Sequence, residues 1–242
     1  QAIQLTEEGA DILDIGGEST RPFSEPVGES EEMDRVLPVI ESLASRVTVP
    51  ISIDTTKASV AKQAVAAGAT LINDVSALRM DPQMAATAAE CRVPLILMHM
   101  KGSPKDMQVA PVYNNVVAEI MAFLSESLTR AVAAGVDRNA ILLDPGIGFG
   151  KTIDHNLQII HNFDRFHDLG TPLLVGPSRK MFIRQLLKNP SQKDMDPLSV
   201  AVARGTQATV AALAMKNAHV VRVHDVARTL ATLAIVNAIK SA

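Results

Sequence analysis

Three polar side chains that could recognise a ring each come directly after a short apolar run: Asp54, Asn73 and Asp144. Carboxylates accept hydrogen bonds, whereas an Asn amide both donates and accepts them. Together they match the edge of a heterocycle that carries amino, ring N–H and ring nitrogen groups. Any one of them alone could instead cap the helix that follows. The three together predict the binding of a flat, amide-rich ring.

A second set of residues is basic and follows the last two apolar runs. In Arg222-Val223-His224 the outer residues share one face of a strand, because side chains alternate along a strand. Arg and His can therefore converge on one anion, and the segment Ser178 to Lys180 adds further donors. Arg179 could instead form a surface salt bridge. The pattern predicts a phosphorylated or pyrophosphorylated ligand, since the last two loops of (β/α)8 barrels are frequent phosphate sites.

The segment Asp144 to Thr152 contains three strictly alternating glycines. A phosphate-binding loop needs Gly where Pro145 stands, and the spacing also fails the dinucleotide-binding motif, so both are rejected. The glycines instead predict tight backbone turns beneath a ligand, with Phe149 as an apolar wall. Met98 is well placed to touch a planar ligand. His99 is as consistent with a structural role as with ligand binding, so it is assigned none.

The elements that must position these residues alternate between short apolar runs and Ala-rich stretches with helical spacing, such as 58–67, 117–134 and 226–239. Seven apolar runs are present, at 12–13, 50–53, 71–72, 94–98, 141–143, 172–175 and 220–221. This alternation predicts a parallel α/β fold, either a doubly wound sheet or a barrel. Polar residues end every run, which favours a (β/α)8 TIM barrel. A (β/α)8 barrel needs one more strand than these seven. We expect this strand to be the first of the barrel and to precede Gln1 together with its loop.

Composition predicts a single domain over residues 1–242 that acts on small molecules. The net charge is −3, and no dense Lys/Arg block suggests nucleic acid or an anionic membrane as a partner. No apolar stretch approaches the roughly 20 residues of a membrane-spanning helix. Cys91 is the only cysteine, which is compatible with a reducing cytoplasm. The interval from Met181 to Ala218 accommodates a loop and a helix longer than the others, a plausible subunit contact.

The polar segments as a set resemble the dihydropteroate synthase family, the pterin-binding barrels of folate biosynthesis. The matching segments follow the family order over nearly the whole chain and are Asp14 to Pro22, Ser52 to Thr55, Ile72 to Asp74, Leu97 to Met100, Leu143 to Lys151, Ser178 to Lys180 and Val221 to Asp225. The resemblance implies a transferase that condenses 6-hydroxymethyl-7,8-dihydropterin pyrophosphate with p-aminobenzoate, giving 7,8-dihydropteroate and pyrophosphate. It also suggests a target of sulfonamides, which mimic p-aminobenzoate, a cytoplasmic location and a homodimer.

The resemblance assigns roles to individual residues. The pterin would contact Asp54, Asn73, Met98, Asp144, Gly176 and Lys180, the pyrophosphate Thr20, Arg222 and His224, and the p-aminobenzoate Thr20, Arg21, Pro22, Phe149, Lys180 and Met181. The family reaction is an SN1-like loss of pyrophosphate, in which Asp54, Asp144 and Lys180 would be the catalytic residues. The acids would stabilise a pterin cation, while Arg222, His224 and Mg²⁺ would stabilise the leaving group.

Two features depart from the family pattern. The family's Asn ligand to the metal lies in the first-strand segment, so no metal ligand is assigned among residues 1–242. Met181 stands where many members carry a Ser that helps to hold the p-aminobenzoate carboxylate. The backbone N–H of Met181 could take that part, and we expect a modest effect on affinity.

A group held mainly by substrate leaves little trace in a sequence, and Mg²⁺ bound to the pyrophosphate is such a case. No His, Asp and Glu residues have the spacing of a tight metal site. The resemblance implies Mg²⁺ as the cofactor, carried largely by phosphate oxygens.

Two alternatives to the synthase remain. One is a barrel that transfers a methyl group from methyltetrahydrofolate to a corrinoid, which shares the ring-binding acids but needs no pyrophosphate site. Arg222, His224 and the segment Thr20 to Pro22 argue against it. The other is a non-catalytic pterin-binding protein, which the absence of a first strand would favour.

Overall fold

The computed structural model describes all 242 residues and contains one strand for each of the seven predicted apolar runs. The strands are β1 (Leu13–Gly16), β2 (Ile51–Asp54), β3 (Leu71–Asp74), β4 (Leu95–Met98), β5 (Ile141–Asp144), β6 (Leu174–Val175) and β7 (Val220–Val221). All pairings are parallel, and strands β1 to β5 pair in the order of the chain. The pair β6–β7 is joined to them through a bridge between Leu143 and Leu173. Neighbours in space that follow chain order are typical of a barrel, not of a doubly wound sheet.

Nine α-helices alternate with the strands and cover their outer face. They are α1 (Ala2–Glu7), α2 (Glu29–Ala44), α3 (Ala58–Ala66), α4 (Met84–Cys91), α5 (Val116–Ala133), α6 (Ile153–His161), α7 (Met181–Leu187), α8 (Val200–Met215) and α9 (Val226–Lys240). Gly9, Gly68 and Gly135 follow helices α1, α3 and α5 with positive φ angles of 97°, 119° and 99°. Only glycine adopts this conformation easily, so it explains how these helices end before the next strand. None of the helices is both long and apolar enough to cross a membrane.

The interval between β6 and β7 differs from the expectation of a loop and one unusually long helix. It holds two helices, α7 and α8, and the 16 residues of α8 are fewer than the 18 of α5. Helix α7 ends at Leu187 because Lys188 has extended backbone angles, and Pro190 and Pro197 keep the chain out of helical geometry until Ser199. The Ser199 hydroxyl then accepts a hydrogen bond from the Val202 N–H and begins α8.

Two apolar layers build the interior. A main core of 37 buried residues lies between the strands and the helices. A smaller cluster fills the middle of the strand array, and it consists of Leu71, Ile96 and Leu174 with Ile12, Leu142 and Val220 packed against it. Because side chains alternate along a strand, the next residues on the same interior face come two positions later. They are Asp14, Asn73, Met98, Asp144, Gly176 and Arg222. The polar layer therefore lies directly above an apolar floor.

The strand array is open on one side. β1 hydrogen bonds only to β2, and β7 only to β6. Side chains span this side, since Arg222 after β7 forms an ion pair with Asp14 on β1. This ion pair thus joins the ends of β1 and β7, which form no backbone hydrogen bonds with each other.

Candidate active site

The polar layer borders a cavity of about 30 Å³. Nine of the predicted site residues line it, namely Thr20, Asp54, Asn73, Met98, Asp144, Phe149, Gly176, Lys180 and Arg222, together with Val75 and Ile147. A neighbouring cavity of about 280 Å³ shares Thr20, Asp54 and Val75 with it and extends toward the segment 103–105. The structure therefore brings the predicted ring-binding residues of five different strands and loops into one place.

Asp54 has the most strongly perturbed carboxyl group of the site. Burial raises its pKa from 3.8 to about 7, the charge of Asp14 adds to this rise, and the guanidinium of Arg222 opposes it. Its side chain is only 11% exposed, and its Oδ1 is buried without a hydrogen-bond partner. Its Oδ2 accepts a hydrogen bond from Arg222 Nη2 at 3.3 Å. Asp54 thus lines the cavity with one carboxylate oxygen that has no hydrogen-bond partner in the protein.

Asp144 and Lys180 form the opposite side of the same cavity. Burial raises the pKa of Asp144 to about 6, although the Gly146 N–H donates to its Oδ1 at 2.7 Å and favours the charged form. Burial also lowers the pKa of Lys180 to about 8, against the attraction of Asp144. The Lys180 Nζ lies 3.9 Å from the centroid of the Phe149 ring, in the geometry of a cation–π contact. Phe149 therefore lies beside a site cation, as a wall residue should.

The alternating glycines make the turns that place Phe149. Gly146, Gly148 and Gly150 all have positive φ, at 69°, 84° and 63°. A Cβ atom on Gly146 would lie 1.9 Å from the carbonyl oxygen of His99, so no larger residue fits there. The predicted tight turns are confirmed.

Lys151, which ends this glycine segment, points inward and is almost fully buried. Its Nζ donates to the Phe149 carbonyl at 2.9 Å and lies 3.0 Å from Nδ1 of His99. Burial lowers the pKa of Lys151 well below its usual value, and burial beside Lys151 lowers that of His99 to about 2. The Nζ of Lys151 therefore contacts buried protein groups and does not point toward a phosphate, which is consistent with the rejection of a phosphate-binding loop. His99 lies in the same buried contact.

Arg222 and His224 have separate partners in this structure. Arg222 Nε donates to Asp14 Oδ2 at 2.6 Å. Burial lowers the pKa of the guanidinium, but the charges of Asp14 and Asp54 outweigh this and raise the pKa above its usual value. His224 Nδ1 lies 2.9 Å from the Ser178 hydroxyl oxygen. Burial and nearby Arg179 lower the pKa of His224 to about 4, so its ring is neutral near pH 7. Arg222 and His224 therefore contact different protein groups, and their convergence on one anion stays a prediction.

Four predicted residues lie outside the walls of both cavities: Arg21, Pro22, Met181 and His224. Arg21 and Pro22 are exposed on the segment between β1 and α2. Met181 is the first residue of α7 and is 43% exposed. These residues surround the site without lining a closed pocket.

Asp14 is the principal site residue that the sequence pattern did not single out. It lies inside the Asp14 to Pro22 motif, yet only the following Thr20, Arg21 and Pro22 were assigned. The signal that could have found it is its position two residues after Ile12, on the same interior face. Val75 and Ile147 were also missed, because apolar residues in loops carry no distinguishing pattern.

Comparison with known proteins assigns the family. The model of the pterin binding enzyme family matches residues 1–224. The dihydropteroate synthase of Escherichia coli is 43% identical over 235 residues, which is 97% of this chain and 80% of that protein. Among solved structures, the Yersinia pestis dihydropteroate synthase with a sulfonamide drug has a TM-score of 0.93, with 44% identity over 100% of this chain and 84% of its own. The Xanthomonas albilineans dihydropteroate synthase with 4-aminobenzoic acid has a TM-score of 0.89 and 45% identity, over 99% of this chain and 83% of its own.

The chain therefore belongs to the pterin-binding enzymes. The predicted TIM-barrel fold and the predicted transferase function of a dihydropteroate synthase are both confirmed by these relatives. The comparisons do not favour the corrinoid methyltransferase or the non-catalytic alternative.

Proposed function

We propose that this chain forms 7,8-dihydropteroate at the polar layer above the apolar floor. The observation that carries the proposal is the convergence of Asp54, Asn73, Asp144 and Lys180 on one cavity in a member of this family. The dihydropterin ring would lie against the apolar floor and Met98. Its amino and N–H groups would face the carboxylates and the amide, which accept such donors.

The acids would act on the charge that develops in the transition state. Departure of pyrophosphate breaks the bond between the pterin methylene carbon and oxygen, and the electron pair leaves with the pyrophosphate. The resulting cation is delocalised over the dihydropterin, beside Asp54 and Asp144. Fixed negative charge in a buried site stabilises a cation more strongly than water does. Their raised pKa values near 7 and 6 show that the empty site disfavours this negative charge, which a cation would offset.

The second substrate would lie beside Phe149 and Lys180. The aniline nitrogen of p-aminobenzoate forms the new bond to the methylene carbon and then loses a proton. Lys180 can hold the p-aminobenzoate by charge, and a pKa of about 8 keeps most of it protonated at pH 7. Thr20 would border both substrates, with Arg21, Pro22 and Met181 at the outer rim. The relative with bound 4-aminobenzoic acid supports this substrate class. Positioning of the aniline can replace a strong general base.

The leaving group would be received by the basic side of the site. Arg222 has five N–H donors, of which Nε and one on Nη2 contact Asp14 and Asp54. The remaining donors can bind pyrophosphate oxygens. His224 would join it as a neutral donor once its contact with Ser178 is exchanged. Thr20 supplies a hydroxyl between the two cavities.

Mg²⁺ belongs to the proposal as a companion of the pyrophosphate. The protein holds no group of three or more His, Cys, Asp or Glu side chains that could bind a metal ion. No step above uses the ion. Mg²⁺ would supply charge neutralisation to the phosphates that carry it.

We also propose a homodimer, through the late helices. Large apolar side chains remain exposed there, at Leu186 and Leu187 of α7, Met215 of α8, and Ile235 and Ile239 of α9. Exposed apolar patches are typical of protein interfaces. Light scattering of the purified protein measures this directly. A cytoplasmic location is also part of the proposal, and the single cysteine, Cys91, is compatible with it.

The test of the function is a product assay with omissions. The protein is incubated with the dihydropterin pyrophosphate, p-aminobenzoate and Mg²⁺, and dihydropteroate is detected by mass. We expect product that requires both substrates, and a loss of about 100-fold or more in kcat/KM for Asp144→Asn. The matched control is Asp11→Asn, an exposed Asp three residues before the site, which should stay within about twofold. Bound pterin without product would overturn the synthase in favour of a binding protein.

A further inference from the structure

The carboxylate of Asp14 contacts two side chains of the polar layer at once. Its Oδ2 accepts a hydrogen bond from Arg222 Nε at 2.6 Å and one from Asn73 Nδ2 at 3.2 Å. Its Oδ1 lies 3.5 Å from the same amide nitrogen. The Asp14 side chain is only 16% exposed. It does not line the cavity itself.

We propose that Asp14 is a positioning residue of the pterin site, which acts through Asn73 and Arg222 without touching the substrate. The inference rests on the proposed function. Asp14 on β1 would set how Asn73 on β3 and Arg222 after β7 face the ligand.

The effect on Asn73 follows from hydrogen-bond chemistry. An ionised carboxylate can only accept hydrogen bonds, so the NH₂ end of the amide must face Asp14. The Asn73 side-chain oxygen is then left toward the cavity, and no protein group donates to it. Asn73 therefore presents an acceptor, which suits an amino or N–H group of the pterin. Without Asp14 the amide would be free to turn over and present donors instead.

The effect on Arg222 follows from the open side of the strand array. β7 has no backbone hydrogen bonds to β1, so the side chain of Arg222 is held across this side by Asp14 and Asp54. Two anchored N–H groups fix the plane of the guanidinium, since Arg is a rigid fork. Its remaining donors then face a fixed direction. Loss of Asp14 would leave only the longer contact with Asp54, at 3.3 Å.

The test uses binding as well as turnover. The variant Asp14→Asn keeps the shape but can donate to the Asn73 oxygen, so the orientation of the amide is no longer fixed. We expect the Kd for 6-hydroxymethylpterin to rise by about tenfold, the loss of one charge-assisted hydrogen bond. The KM for dihydropterin pyrophosphate should rise by at least as much, because its pyrophosphate also depends on Arg222. The KM for p-aminobenzoate should stay within about twofold. Asp11→Asn is the control, and Asp14→Ser is the second variant if Asp14→Asn does not fold.

A double-mutant cycle separates positioning from a general structural role. In the Asn73→Ala background, Asp14→Asn should no longer weaken 6-hydroxymethylpterin binding, because the amide it orients is gone. Independent effects that multiply, or equal losses for both substrates, would overturn the inference while leaving the proposed function intact. A wild-type protein that binds no pterin would overturn the proposed function itself, and the inference with it.

Discussion

Replacement of Asp54 by Asn should stabilise the ligand-free protein at neutral pH while removing its activity. The carboxyl group of Asp54 is buried, one of its oxygens has no partner, and its pKa is raised to about 7. The protein therefore favours the neutral form of this side chain. Asn is a neutral group of nearly the same shape, so it relieves the penalty of burying the charge.

The size of the effect follows from proton linkage. A tenfold change in proton affinity is worth about 1.4 kcal/mol, so a pKa rise from 3.8 to about 7 corresponds to about 4 kcal/mol. The attraction of Arg222 is already contained in this shift, but the Asn NH₂ group is buried where no partner is present, which costs about 1 to 2 kcal/mol. The expected net gain in the free energy of unfolding is about 2 to 3 kcal/mol at pH 8.

The sign of the pH dependence is fixed by the direction of the shift. Because the folded-state pKa lies above the unfolded one, the protonated carboxyl favours folding, and this contribution is fully present below about pH 4. It is lost as pH rises to about 7 and is constant above that. Asp54→Asn should therefore have no stability advantage over wild type at pH 4.5, and its advantage should grow up to pH 8.

The assay is urea unfolding of wild type, Asp54→Asn and the control Asp11→Asn at pH 4.5, 6 and 8, without substrates. The control should follow wild type at every pH, because Asp11 is exposed. An Asp54→Asn protein less stable than wild type at pH 8 would refute the reasoning. So would a difference between the two that does not change with pH.

Two further predictions concern the glycine segment. Gly146→Ala should lower the free energy of unfolding by about 2 to 4 kcal/mol, because φ is +69° and the new Cβ would meet the His99 carbonyl. Gly28→Ala, at a position with open space and φ of −68°, should change it by less than about 1 kcal/mol in the same urea titration. Lys151→Met should raise the KM for p-aminobenzoate about fivefold in steady-state assays, because it frees the Phe149 carbonyl. The Kd for 6-hydroxymethylpterin should stay within about twofold, and an equal loss of both affinities would contradict this.

The site also shows why activity and stability conflict in this molecule. Asp54 and Asp144 line the same cavity, and burial raises both of their pKa values. A site that stabilises a cation must keep negative charge away from water, which disfavours the empty protein. The bound substrate and its cationic transition state offset that penalty.

Sequence periodicity determined the fold and the location of the site. Alternation along each strand is a property of the backbone, so residues two positions beyond an apolar interior residue had to enter the same interior. This put Asn73 and Asp144 at the rim whatever their neighbours were. Glycine was needed at Gly146 for the same local reason, since its backbone has positive φ. The expected single long helix between β6 and β7 was wrong, because helix boundaries in that interval depend on local breaks that spacing alone did not resolve.

Only the tertiary structure decided which partners the charged side chains take. Arg222 contacts Asp14, which lies 208 positions away in the chain, and His224 contacts Ser178, and spacing predicted neither partner. Lys151 ends a motif that resembles a phosphate loop, yet it points inward to His99. Long flexible side chains choose among several neighbours according to distance and burial, and these are set by how distant segments pack. Backbone periodicity is local and can be read along the chain, whereas these contacts exist only once the chain has folded.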